Sequence, residues 1–101
     1  MQSSLPSTFE EFATLVARHT ADLANTRPTH GSAEWYLLNH LRTLQQNVES
    51  SSSAAEVSNS VKAVSRFATD SLEWGGTLAM GVSLIVEAHS SLLRTSRRAP
   101  Q

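Results

Sequence analysis

The run Trp74–Leu93, Trp-Gly-Gly-Thr-Leu-Ala-Met-Gly-Val-Ser-Leu-Ile-Val-Glu-Ala-His-Ser-Ser-Leu-Leu, is the most apolar part of the chain and sets the terms for the rest of it. Wound as a helix at about 100° per residue, it puts Leu78, Val82, Ile85, Val86, His89, Leu92 and Leu93 on one face. Met80, Leu84 and Ala88 widen that face past a half circle, which leaves Ala79, Ser83, Glu87 and Ser90 for water. So narrow a wet strip requires cover from two directions, by the rest of the chain and by a second chain. The apolar stretch Thr77–Val86 is closed by Glu73 and Glu87, far short of the ~20 residues that cross a bilayer, so no membrane span is expected.

Everything upstream reads as helices that need this surface. Ser7 or Thr8, with Glu10 or Glu11 three residues on, has the spacing of a capping box. The helix that follows, Phe9 to about Ala24, carries Phe9, Phe12, Ala13, Leu15, Val16 and Leu23 on one side and Glu10, Glu11, Arg18 and Asp22 on the other. His19 lies at the edge of the stripe, where a structural role is expected. Asn25-Thr26-Arg27-Pro28-Thr29-His30-Gly31 has the residue chemistry of a turn. A second helix, Ser32 to Ser50 and capped by Thr29 or Ser32, carries Leu37, Leu41, Leu44 and Val48 in a 4-3-4 seam. Trp35 and Tyr36 stand off that seam, as a lid over the end of the core or as an anchor for a partner.

Glu49-Ser50-Ser51-Ser52-Ser53, a polar link, separates two helical hairpins, and Ser53 with Glu56 repeats the capping spacing. The third helix is expected from about Ala54 to Trp74, with Val57, Val61, Val64, Ala68 and Leu72 along one stripe. Phe67 and Trp74 form a separate aromatic shoulder. Gly75-Gly76 costs on the order of 2 kcal/mol inside a helix, which favours a break before a fourth helix that begins at Thr77 and ends near Arg94. Arg94, Arg97 and Arg98 then complement the negative end of its dipole. The fold expected is all-α: one domain over residues 1–101, two hairpins in a four-helix arrangement, with flexible tails at 1–6 and 95–101.

Composition narrows the function. There is no cysteine, which removes disulfide scaffolds, thiolate metal sites and cysteine nucleophiles, and fits a cytoplasmic protein. The N-terminal residues do not look like a signal peptide. A formal net charge of −1 with 17% charged residues gives no field to attract nucleic acid. His19, His30, His40 and His89 are scattered without metal-ligand spacing, and no nucleophile elbow or phosphate loop occurs, so neither an enzyme nor a metal or other cofactor is expected.

Binding through a helical apolar surface remains. In a homodimer, the fourth helix pairs with its mate through Leu78, Gly81, Val82, Ile85, Ala88, His89 and Leu92, with Gly81 and Ala88 allowing close approach. His89, between Ile85 and Leu93, is a satisfied core histidine or a pH-sensitive interface contact. Phe67, Trp74, Trp35 and Tyr36 form a secondary partner surface. In size, helical hairpins and the stretch Leu72–Leu93, the chain resembles the small quorum-sensing anti-activators of QslA type. The resemblance implies a dimer that binds a LuxR-type transcription activator and blocks its dimerisation and DNA binding, with no direct contact to nucleic acid. Two other classes stand beside it: a secretion chaperone or immunity-type binding protein, and a small helical enzyme or ligand-binding subunit whose pocket is lined by Trp35, Tyr36, Phe67 and Trp74.

Overall fold

The computed structural model describes residues 6, 8–71 and 76–98, the side chains of residues 77 and 95–98 excepted. Four α-helices run through it: α1 (Phe9–Asn25), α2 (Ala33–Glu49), α3 (Ser58–Ser71) and α4 (Thr77–Arg98). A single 3-10 turn, Ala54–Val57, leads into α3. Among the described residues no helix is long and apolar enough to cross a membrane.

Local chemistry starts and stops the helices. Thr8 caps α1, its Oγ1 accepting from the Glu11 N–H at 3.0 Å, and Ser32 caps α2, its Oγ accepting from Trp35 N–H at 3.2 Å. Between them the chain reverses through two left-handed residues, Arg27 (φ 53°) and Gly31 (φ 85°). Only at Gly31 does the residue type make this conformation free of strain. The link before α3 departs from expectation. Ser53 makes no side-chain cap; instead Glu56 reaches back one residue further, its Oε1 accepting from Ser52 N–H at 2.6 Å. This bond and the 3-10 turn carry the chain round, so the α-helix proper starts at Ser58, four residues later than the pattern predicts.

α4 begins directly after Gly76, whose carbonyl accepts from Met80 N–H at 3.0 Å. The expected separation of α3 from α4 is therefore present, while Leu72, Trp74 and Gly75 lie outside the described residues. At its far end α4 continues to Arg98, a turn beyond the expected stop at Arg94, because Leu92 still has core to meet and no glycine or proline intervenes before Pro100. Of the expected tails, Pro6 and the backbone of residues 95–98 are described, and residues 1–5 and 99–101 lie outside.

The helices alternate in direction and close into a ring. Phe12 of α1 meets His89 of α4 (ring centroids 6.0 Å apart) and His19 meets Gly81, so α1 and α4 are antiparallel. His40 of α2 meets Phe67 of α3 at 5.0 Å, and Asn47 hydrogen-bonds Ser60, so α2 and α3 are also antiparallel. His89 reaches the start of α3 while Ser65–Thr69 lie against Ala79–Val86, which makes α3 and α4 antiparallel too. Up-down-up-down order with short links follows. Along the centre run Phe12, Val16 and Leu23 from α1; Leu37, Leu38, Leu41, Leu44 and Val48 from α2; Ala54, Val57, Val61, Val64 and Ala68 from the turn and α3; and Val82, Ile85, Ala88 and Leu92 from α4. The small residues of the third segment let neighbours close in, as their size predicts.

Candidate functional site

Two polar groups inside this core show how it tolerates them. Thr20 is buried and returns its hydroxyl to the Val16 carbonyl at 2.7 Å, an intrahelical bond. His89 is buried against Phe12, and its Nε2 donates to the Ala54 carbonyl at 2.8 Å, with Ser58 Oγ further off at 3.4 Å. A histidine in the middle of an apolar face is thus a strut. It fastens α4 to the 3-10 turn through a carbonyl of that turn.

The seven residues expected at a dimer interface are placed differently. Val82, Ile85, Ala88, His89 and Leu92 are buried within the single chain, Ile85 to 1% exposure. Leu78 and Gly81 are half-buried on the same side. The α4–α4 pairing through these residues is therefore corrected: α1 and α3 flank α4, α2 faces it across the core, and together they cover the arc that sequence reasoning divided between two chains. The close approach that Gly81 allows is made by the chain's own His19. The expected wet strip is also rotated. Met80 (62% exposed) and Leu84 (45%) face out beside Ser83 and Glu87, while Ala79 and Ser90 are partly covered.

Of the secondary surface, Phe67 is half-buried and occupied by His40. Trp35 stacks obliquely on His30 (4.3 Å) and meets the edge of Tyr36 (5.0 Å), so the pair forms an aromatic cluster at the start of α2. Tyr36 is 49% exposed. Trp74 lies outside the described residues; of the other three aromatics, Trp35 and Tyr36 cluster at the start of α2 and Phe67 packs on His40.

A cleft lies elsewhere. At the end of the bundle where α1 finishes and α2 and α4 begin, these three helices border a space of about 270 Å³. Leu23, Leu37, Leu41, Leu78, Val82 and Ile85 line it with hydrocarbon, and His19, Asp22 and Thr26 line it along α1. Thr26 spends its hydroxyl on the Leu23 carbonyl at 2.7 Å. His19 is different: its Nε2 is enclosed and has no hydrogen-bond partner. Burial pushes its pKa below the ordinary histidine value of 6.5, helped by the Arg18 guanidinium and opposed by Asp22, so the ring is neutral at pH 7.

From the sequence His19 reads as structural, and nothing in its helix announces this cleft. His19, Asp22, Leu23 and Thr26 stand at helical spacing and Gly81 is a mid-helix residue without a side chain, but only the tertiary structure brings them face to face. Among the described residues no three of His, Asp and Glu lie close enough together to hold a metal ion. Compared with protein-family models, with curated proteins and with solved structures, the chain has no match.

Proposed function

We propose that this protein is a non-enzymatic binding module that regulates a protein partner through the outer strip of α4. The observation that carries this reading is the pair Met80 and Leu84, one helical turn apart and turned to solvent on a helix whose other large apolar residues are covered. An exposed Met beside an exposed Leu on a rigid helix is the kind of surface that a partner helix or groove accepts. Tyr36, exposed on α2, is an amphipathic anchor separate from this strip.

The finer reading, suggested by the resemblance to small quorum-sensing anti-activators, takes the partner to be a LuxR-type transcription activator whose dimerisation is blocked. Self-association, in this proposal, uses the same strip and competes with the partner. It no longer uses Ile85 and Leu92, which the core already occupies.

The test is a titration of the protein into such an activator bound to labelled operator DNA, followed by fluorescence anisotropy. The expected result is release of the DNA by the wild type and none by Met80→Glu/Leu84→Glu, with both proteins equally folded by circular dichroism. Release of DNA by the double variant would remove the α4 strip from the proposal. No release by the wild type would remove the anti-activator.

A further inference from the structure

We propose that the cleft between α1, α2 and α4 is a small-molecule site, and that it takes a neutral ring compound of about ten non-hydrogen atoms carrying one N–H or O–H donor. The size follows from the volume. An apolar cavity of about 150 Å³ accepts benzene, and the cleft measures about 270 Å³, which scales to a fused bicyclic or a short-chain phenol. Its walls set the rest of the class. Six leucine, valine and isoleucine side chains favour a hydrocarbon ring.

A carboxylate is disfavoured because Asp22 stands in the lining, and the apolar walls leave any charged group poorly solvated. Among the described polar groups of the wall, Thr26 spends its hydroxyl on Leu23, while the imidazole of His19 keeps an enclosed nitrogen unpaired. A neutral imidazole offers one acceptor nitrogen, and leaving a buried polar atom unpaired is costly, so a donor on the occupant recovers what the empty core lacks. Because the ring borders open space on the cleft side, it can turn about its Cβ–Cγ bond to present Nε2 to the occupant.

This inference does not rest on the protein-binding reading, because its probes are small molecules and its readout is on the isolated full chain. The experiment titrates ¹³C-methyl-labelled protein with indole and, separately, with indene, which has the same shape but no N–H. The expected result is that both shift the methyls of Leu37, Leu41, Leu78 and Val82, with indole about tenfold tighter, the worth of one hydrogen bond. Indole should also move the Nε2 resonance of His19. His19→Leu should reduce indole to the affinity of indene, and Leu78→Trp should block both by filling the cleft.

Equal affinities of indole and indene for the wild type would overturn the assignment of the donor, whatever the variants do. Absence of methyl shifts up to the solubility limit of indole would overturn the site itself. So would nuclear Overhauser contacts, before any addition, between these methyls and a side chain of the chain's own Leu72–Gly75 segment.

Discussion

The imidazole of His19 lies over Gly81, its Nδ1 and Cε1 3.2 and 3.3 Å from where a Cβ at position 81 would sit. The glycine has negative φ inside α4, so its use is the close approach of α1 and not a special backbone conformation. Gly81→Ala should gain helix propensity of about 1 kcal/mol and lose part of it to crowding, since the ring must give by a few tenths of an ångström. It can give toward the cleft. The expected outcome is a net stabilisation of about 0.5 kcal/mol in urea unfolding, rising toward the full ~1 kcal/mol in a His19→Ala background. A loss of stability in the single variant, restored with His19→Ala, would mean that the ring is locked.

The same histidine gives stability a pH dependence. Its folded pKa is below 6.5 and its unfolded pKa is near that value, so between the two the unfolded chain binds more protons. Stability is therefore full above pH 6.5 and falls as the pH drops through the interval below it, levelling off once the folded protein is protonated too. Urea midpoints measured from pH 8 down to pH 5 should show this fall in the wild type and a shallower one in His19→Gln. Equal slopes would place the responsible proton elsewhere.

Ile85 and Met80 should separate core from surface. Aspartate at position 85, where the side chain is 1% exposed, must desolvate a carboxylate in hydrocarbon at a cost of several kcal/mol, comparable to the whole stability of a small domain. Circular dichroism of Ile85→Asp should show an unfolded or molten chain. Met80→Glu, at 62% exposure, should leave the melting temperature within a few degrees of the wild type and change only association, as read by light scattering. A folded Ile85→Asp would contradict the four-helix core.

His89 holds the 3-10 turn. Leucine in its place keeps most of the volume but removes the hydrogen bond to the Ala54 carbonyl, at a cost of about 1 kcal/mol. Hydrogen exchange in His89→Leu should accelerate over residues 54–61 before the other helices are affected. Uniform acceleration across the bundle would show that the bond has no local role.

Capping offers a comparison within one chain. Ser32→Ala removes the acceptor for the Trp35 N–H and should cost about 1 kcal/mol. Ser53→Ala should cost close to nothing, because Ser53 makes no side-chain cap bond. Thermal unfolding of the two variants under one set of conditions reads the difference directly.

Those caps mark the boundary between what was legible and what was not. Ser32 at the head of a leucine seam caps because the helix after it is regular from its first turn. Ser53 and Glu56 have the same spacing, yet the 3-10 turn changes the distance between them and moves the bond to Ser52. Helix number, the core seam Leu37, Leu41, Leu44 and Val48, and the valine stripe of α3 followed from periodicity alone, since a 3.6-residue repeat fixes which side chains share a face. The break before α4 followed from glycine's entropy.

Periodicity does not fix what covers a face. The arc through Val82, Ile85 and Leu92 reads identically whether a second copy or the chain's own α1, α2 and α3 lie on it, and the tertiary structure chose the latter. The same choice turned Met80 and Leu84 outward, made His89 a strut to Ala54, and set His19 of α1 against Gly81 of α4, far apart in sequence. Composition and periodicity specify a cysteine-free bundle of four amphipathic helices and the faces those helices bury. Which helices meet, and hence where the cleft and the exposed strip lie, was decided only in the folded chain, because packing between distant segments depends on the shapes of both partners at once.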